Sequence, residues 1–280
     1  MEYQARDETG LGARIFNRRV SPTAVFIILA FGIPWAGWIT LAIADVQQPW
    51  MVQALFFTGD ACSIAGLVAS YFARGRSGVV ELLRSAVRVK APVSWWLYAS
   101  CLPLFVQICI RLLYGSISGG IGHVDASGLA ALISMPVLFL FLTGPLGEEF
   151  GWRGYLLPRL LRERSPLSAS LILGLVWAFW HTPLYYASWL ATPWKGPEFF
   201  VVVVIYSVLI AALYVGSRGN LLLCIVMHWM FNAAPQAGKK MFPDLKDQGL
   251  DFAEIRWLVM IIAVGVVVTY CRSLKRTDAP

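Results

Sequence analysis

Long apolar stretches separated by short basic loops run through most of the chain, and this pattern restricts the fold more than any other feature. Hydrophobic residues make up 58% of the sequence and charged residues only 14%, whereas ordinary globular chains carry about 25% charged residues. Since a bilayer core about 30 Å thick takes roughly 20 apolar residues per helix, we expect an all-α polytopic membrane protein with about eight transmembrane helices. The predicted spans are Pro22–Ala44, Trp50–Ala73, Trp95–Ile117, Leu129–Gly147, Ala169–Leu190, Phe199–Gly216, Asn220–Ala234 and Ala253–Cys271.

The basic residues are divided unequally between alternate loops. If the N-terminus lies in the cytoplasm, most of the 23 lysine and arginine residues fall on the inner side. The inner ones are Arg6, Arg14, Arg18, Arg19, Arg74, Arg76, Arg84, Arg88, Lys90, Arg153, Arg159, Arg162, Arg164, Arg218, Arg272, Lys275 and Arg276. The outer loops hold Lys195, Lys239, Lys240 and Lys246. Because lysine and arginine are retained on the cytoplasmic side, this division favours eight spans with cytoplasmic N- and C-termini, in a multi-pass protein of a cell (inner) membrane.

A single transmembrane domain is expected over residues 21–272, between a cytoplasmic segment at 1–20 and a cytoplasmic tail at 273–280. The first span is too long for a signal-peptide core and lacks a small-residue cleavage site, so we expect it to be retained. Five scattered cysteines exclude a disulfide scaffold. The net charge of +7 lies in short clusters between apolar stretches, so no nucleic-acid partner is expected. The oligomeric state is not specified by the sequence.

Several ionisable residues fall at membrane depth, where each costs about 2.5–3.5 kcal/mol on insertion scales and therefore requires a reason. Glu148 and Glu149 are adjacent near the cytoplasmic end of the fourth span, and they point about 100° apart on a helix. Glu149 and Arg153 are i,i+4 neighbours in the favourable acid-first order. We therefore predict a Glu149–Arg153 ion pair that leaves Glu148 aimed elsewhere.

Two of the three histidines also lie inside apolar spans. His181 precedes Pro183 by two residues in the fifth span, and that proline opens the helical hydrogen-bond ladder. His228 and Asn232 share one face of the seventh span at i,i+4. A single polar residue of this kind usually makes a packing or hydrogen-bond contact between helices. Because the fourth, fifth and seventh spans each contribute such a polar residue, we predict that these residues form a common site.

Two kinds of chemistry fit this set of side chains. A carboxylate can act as general base on water, an imidazole can share the proton, and an asparagine amide can stabilise an oxyanion, which together describe hydrolysis of a carbonyl group. Alternatively, Glu148, His181 and His228 match the ligand set of a catalytic zinc, although the paired-ligand helix His-Glu-x-x-His is absent.

These residues resemble the three motifs of the CAAX-prenyl-endopeptidase and bacteriocin-processing (CPBP, or Abi) intramembrane proteases. The motifs are Glu148-Glu149-x-x-x-Arg153, an aromatic residue four positions before His181, and His228-x-x-x-Asn232, in the same order and on the expected helices. The resemblance is strongest over about residues 129–234. The aromatic residue is Trp177, where a phenylalanine is common in that family.

The resemblance implies a glutamate-dependent endopeptidase. Glu148 would activate water with help from His181, and Asn232 with His228 would stabilise the oxyanion. Glu149 and Arg153 would organise the site. No cofactor is required on the favoured interpretation, and a divalent metal such as zinc is the alternative. The implied partners are the lipid bilayer and a membrane-associated or lipidated protein or peptide, in peptide maturation or in self-immunity to bacteriocins.

Two other classes of function remain open on the sequence. One is a non-catalytic immunity or regulatory protein of the membrane, which would not need this combination of motifs. The other is a proton-coupled transporter that uses Asp60, Arg111 and the site residues as a relay, although no paired halves are visible. Asp60 and Arg111 lie in the second and third spans; the sequence assigns neither a role, and a pair between them is one arrangement that would account for both.

Overall fold

The computed structural model describes residues 21–44, 48–191, 193, 195–245 and 256–265. The predicted cytoplasmic segments at 1–20 and 273–280, and both ends of the eighth predicted span, lie outside these residues. The described residues form helices and turns without any β-strand, as expected for an all-α protein. Their helices are α1 (Pro22–Ile43), α2 (Pro49–Phe56), α3 (Ala61–Ala86), α4 (Val93–Ile117), α5 (Met135–Phe141), α6 (Gly147–Glu149), α7 (Leu157–Glu163), α8 (Pro166–Trp180), α9 (Thr182–Ala191), α10 (Lys195–Gly216), α11 (Leu221–Met241) and α12 (Arg256–Gly265).

Three of the described helices are long and apolar enough to cross a membrane, namely α1, α4 and α10. A fourth candidate is a bent pair that joins the 3₁₀ segment Ala126–Ile133 to the helix that follows it. The number of spans and the side on which each terminus lies stay predictions.

The helix that bears the two glutamates is continuous but irregular. Between α5, α6 and α7 lie two π-helical stretches, Leu142–Leu146 and Phe150–Leu156. We call the whole run, residues 135–163, the glutamate helix. Short π-helical insertions in α-helices are rare and are frequently found at functional sites.

Two predicted spans are interrupted. The second is broken by the 3₁₀ turn Phe57–Asp60 between α2 and α3. The fifth is broken at His181, which separates α8 from α9. There, the hydroxyl of Thr182 donates to the carbonyl of Phe179 at 2.7 Å. In an unbroken helix the carbonyl of Phe179 would accept a hydrogen bond from the amide of residue 183, but that residue is a proline and has no amide hydrogen.

The seventh predicted span begins as expected but is longer. The side chain of Asn220 accepts a hydrogen bond from the amide of Leu223 at 3.3 Å and so caps α11. The helix then continues through Pro235 to Met241, seven residues beyond the predicted end. It packs against α4, α10 and the glutamate helix, and this central position buries His228.

Close packing against α3 fixes the position of the glutamate helix. A Cβ atom added at Gly66 would lie 2.5 Å from the carbonyl oxygen of Phe150, and one added at Gly151 would lie 2.5 Å from the carbonyl oxygen of Cys62. Small residues at such a contact let two helix backbones approach closely, a common device between membrane helices. The carboxylates next to this contact are therefore carried on a rigid support.

Candidate active site

A cavity of about 300 Å³ lies between the glutamate helix and helices α8 to α11. Its polar lining residues include Thr143, Glu148, His181, His228, Asn232 and Gln236. Its apolar wall includes Trp38, Leu184, Phe199, Val202, Val203 and Phe231. All four residues expected to do chemistry thus border one space.

Glu148 is almost fully buried and is held by two indole groups. Its Oε2 atom accepts hydrogen bonds from Nε1 of Trp177 at 2.5 Å and from Nε1 of Trp152 at 3.3 Å. Trp152 lies one helical turn further along the same helix, and Trp177 lies on α8. Both donors meet the same oxygen, so they fix the orientation of the carboxylate without neutralising its charge.

Glu149 makes the ion pair predicted from its spacing. Its Oε1 atom lies 2.7 Å from Nη1 of Arg153, and both side chains are fully buried. The same oxygen accepts a hydrogen bond from Nδ1 of His228 at 2.8 Å. The guanidinium of Arg153 also lies 4.2 Å from the ring centroid of Trp177, within the range of a cation–π interaction. Glu149 and Arg153 therefore hold together two of the residues that border the cavity.

His181 takes its orientation from the break between α8 and α9. Its backbone amide bonds to the carbonyl of Ala178, three residues back, at 3.2 Å. Its ring Nδ1 lies 2.8 Å from the carbonyl oxygen of Trp177. A carbonyl only accepts hydrogen bonds, so Nδ1 carries the hydrogen and Nε2 of the neutral ring carries a lone pair. The ring packs edge-on against Trp180 and Phe199.

Gly144 marks the point where three of the polar side chains approach one another. A Cβ atom added there would lie 2.9 Å from Nδ2 of Asn232, 3.7 Å from Nε2 of His228 and 3.9 Å from Oε1 of Glu148. Glycine leaves that volume open. The space beside Gly144 is therefore bordered by Nε2 of His228, by the amide of Asn232 and by Oε1 of Glu148. Oε1 is the carboxylate oxygen that does not accept the indole hydrogen bonds.

Asp60 and Arg111 have different surroundings in the structure. Asp60 abuts Gly147 of the glutamate helix, where a Cβ atom would collide with its carboxylate. Arg111 is fully buried and lies beside Gly238 of α11, where an added Cβ atom would be 2.8 Å from its Nε atom. Asp60 thus lies against the glutamate helix, whereas Arg111 lies against α11, and a pair between them stays a prediction.

The side chains expected as alternative metal ligands do not close around one point. Within the described residues, no group of three or more His, Cys, Asp or Glu side chains is arranged to hold a metal ion. Nδ1 of each site histidine is engaged, by the Trp177 carbonyl in His181 and by Glu149 in His228. Each ring therefore offers only Nε2 to a ligand or a substrate.

The two indole donors to Glu148 are not predicted from the sequence. The motif pattern singles out Trp177 only as an aromatic residue four positions before His181, and it assigns no hydrogen bond to Trp152. For Trp152 a local signal exists, since it stands at i+4 from Glu148 on one helix face. For Trp177 there is none, because its contact with Glu148 spans 29 residues of sequence.

Comparison with known proteins locates this cluster inside one segment that matches a protein family. Residues 130–234 match the family described as type II CAAX prenyl endopeptidase Rce1-like. The chain is also similar to the CAAX prenyl protease 2 of Methanococcus maripaludis, with 31% identity over 138 residues. That alignment covers 46% of this chain and 50% of the relative, so the chain spans about half the length of the curated protein it matches.

Proposed function

Because residues 130–234 match the type II CAAX prenyl endopeptidase Rce1-like family, we propose that this multi-pass membrane protein is an endopeptidase that acts within or at the bilayer. The observation that carries the proposal is the carboxylate of Glu148, oriented by two indoles and sharing one cavity with His181, His228 and Asn232. Membrane-associated or lipidated proteins and peptides are the proposed substrates, in line with the name of the archaeal relative.

In the proposed reaction, Glu148 is the general base. A water molecule in the space beside Gly144 gives one proton to the carboxylate as its oxygen attacks the carbonyl carbon of the peptide bond. Since Nδ1 of His181 donates to the Trp177 carbonyl, its Nε2 accepts a hydrogen bond from the same water and orients it. The indole hydrogen bonds keep the carboxylate in one position while it receives the proton.

The tetrahedral intermediate carries its negative charge on the former carbonyl oxygen. The amide of Asn232 donates a hydrogen bond to that oxygen. Nε2 of His228 borders the same space and adds a second donor only when the ring is protonated, because Nδ1 already donates to Glu149. Glu149 and Arg153 act as positioning residues, because they fix the ring of His228 rather than contact the reacting atoms. The intermediate collapses when the C–N bond breaks and Glu148 returns its proton to the leaving amine.

The proposed topology has eight spans, with both termini in the cytoplasm of a cell (inner) membrane. The basic loops support this arrangement, because they place most arginines on one side. The glutamates then lie toward the cytoplasmic side. The test is a set of single reporter tags inserted after Lys90, Gly120 and Asp244, for which we expect cytoplasmic, external and external locations respectively. A tag after Gly120 that reports from the cytoplasm would contradict the proposed order of spans.

The experiment that tests the function uses three proteins in detergent: wild type, Glu148→Gln, and Glu163→Gln as a control at an exposed position of the same helix. Each is incubated with a pool of membrane-inserted and lipidated peptides, and new termini are read by mass spectrometry. We expect identical new termini from wild type and the control and none from Glu148→Gln. Equal cleavage by all three would contradict the proposal.

The same variants separate the two alternative functions. A non-catalytic immunity or regulatory protein would keep its full cellular effect when Glu148 is replaced by glutamine and His181 by alanine. A proton-coupled transporter would show pH-dependent flux of a substrate in proteoliposomes that Glu148→Gln abolishes. The proposal predicts loss of cellular effect in the first assay and no such flux in the second.

A further inference from the structure

A second cavity, of about 520 Å³, lies apart from the candidate active site. It is formed by α3, the glutamate helix and the turn between α10 and α11, and its described lining does not overlap with that of the first cavity. Arginines dominate its lining: Arg74, Arg84, Arg88, Arg159, Arg162 and Arg218. Among its described lining residues Glu81 is the one carboxylate, and it lies 2.6 Å from Arg74. The cavity therefore carries a large excess of positive charge.

Neutral groups hold two of these arginines in place. Nη2 of Arg88 donates to the carbonyls of Ser217 and Arg218 at 2.9 and 3.0 Å. Nη1 of Arg159 donates to the carbonyl of Tyr155 at 2.8 Å, and its guanidinium lies 3.5 Å from the centroid of the Tyr155 ring. These contacts orient the guanidinium groups but leave their charges uncompensated. Arg162 and Arg74 line the same cavity as Arg159.

Such an arrangement fits a multivalent oxyanion. The guanidinium group presents planar, paired N–H donors that match phosphate oxygens, and it stays charged at every physiological pH. Several like charges around one cavity repel each other until an anion enters. Since Glu81 can offset only one of them, a phosphate group is the ligand chemistry that the lining matches.

The surroundings of the cavity favour a lipid over a soluble phosphate. Helix α3, which supplies Arg74 and Arg84, also exposes Tyr71 and Leu83, and exposed Val87 follows its last residue. The helix is kinked at Arg74 and Gly75, where the backbone leaves the helical conformation. On the proposed topology the cavity lies at the cytoplasmic side, where basic pockets between membrane helices suit anionic lipid headgroups.

We propose that this arginine cavity binds the phosphate of an anionic phospholipid headgroup, whose acyl chains lie along the exposed apolar side chains of α3. The site rests on the proposed topology but goes beyond the proposed peptidase activity and does not depend on it. The cavity adjoins the glutamate helix, since Gly154 and Pro158 of that helix line it. Arg159, which also lines the cavity, donates a hydrogen bond to the carbonyl of Tyr155, two residues after Arg153. A bound lipid would therefore support the far end of the glutamate helix.

The test compares two double variants that remove equal charge. Arg84→Gln with Arg162→Gln removes two exposed lining arginines, and Arg76→Gln with Arg164→Gln removes two exposed arginines of the same segments that are not among the lining residues. Purified proteins in neutral detergent are titrated with short-chain phosphatidylglycerol, phosphatidylcholine or inorganic phosphate, and bound species are counted by native mass spectrometry. Thermal melting confirms that each variant is folded.

For wild type and the control pair we expect saturable binding of phosphatidylglycerol over phosphatidylcholine. For the lining pair we expect an affinity that is weaker by about tenfold or more. Equal affinity in all three proteins, or no preference over phosphatidylcholine, would overturn the proposal. Binding of inorganic phosphate without phosphatidylglycerol would overturn the lipid assignment. Because the readout is lipid binding, its failure is distinguishable from absence of peptidase activity.

Discussion

Oε1 of Glu149 and Nδ1 of His228 lie 2.8 Å apart, although 79 residues separate them in the sequence. A carboxylate accepts hydrogen bonds, so the imidazole donates from Nδ1 and its Nε2 is left for the cavity. The same carboxylate oxygen receives Nη1 of Arg153. One buried ion pair thereby sets the orientation of a histidine on another helix.

Replacement of Glu149 by glutamine should destabilise the protein strongly. It leaves Arg153 as a fully buried charge without its carboxylate, a loss of about 3–5 kcal/mol for buried pairs. The matched control is Glu81→Gln, which breaks the exposed ion pair between Glu81 and Arg74. Its loss should lower the free energy of unfolding by less than about 1 kcal/mol. Thermal melting in detergent measures both. Similar melting temperatures for the two variants would show that the buried pair is not structurally important.

Replacement of Gly144 by alanine should remove activity and leave the fold intact. The added methyl group would occupy the space between Asn232, His228 and Glu148, where the water and the carbonyl group are proposed to react. The methyl group would also displace the amide of Asn232, which is the proposed donor to the oxyanion. Since loss of one oxyanion contact costs about 100-fold, we expect kcat/KM to fall by at least that factor. Gly32→Ala is the control, because nothing lies within 4 Å of its added Cβ atom. Full activity of Gly144→Ala would contradict the placement of the reaction.

Replacement of Trp177 by phenylalanine tests the indole hydrogen bond to Glu148. The aromatic ring beside Arg153 is retained, while the N–H donor at 2.5 Å from the carboxylate is lost. A hydrogen bond to a charged group contributes about 1.5–3 kcal/mol, so we expect kcat to fall roughly 10- to 100-fold. Trp96→Phe removes an indole donor to a backbone carbonyl elsewhere and should leave kcat unchanged. Equal rates for the two variants would remove Trp177 from the mechanism.

Chelators should leave peptide cleavage unchanged. In the described part of the chain no three His, Cys, Asp or Glu side chains are arranged to hold a metal ion, and the proposed reaction needs only water, a carboxylate and hydrogen-bond donors. The measurement is the cleavage rate after dialysis against 1,10-phenanthroline, with and without added zinc. Loss of activity that zinc restores would instead favour the alternative in which Glu148, His181 and His228 bind a metal.

Local features of the sequence predict part of the site well. The Glu149–Arg153 pair follows from i,i+4 spacing on a helix, and the structure contains it. The helix break near His181 follows from Pro183, which lacks an amide hydrogen. The start of α11 follows from Asn220, a favourable capping residue. Each depends on neighbours within about one helical turn.

Contacts between distant segments are beyond such reasoning. The hydrogen bond from Trp177 to Glu148 depends on how α8 packs against the glutamate helix. The turn at Phe57–Asp60 brings Asp60 against Gly147, which hydropathy alone does not reveal. For Asp60 and Arg111, the cost of a charge in lipid calls for a partner but does not specify which one.

The most direct test of the central claim is the value of kcat/KM for Glu148→Gln on a peptide that the wild-type protein cleaves. Glutamine keeps the size of the side chain but cannot accept the proton from water. We predict a loss of about 100- to 10,000-fold, the usual contribution of a general base, with the melting temperature and the rate of the Glu163→Gln control unchanged. A rate within threefold of wild type would show that Glu148 does not activate the water.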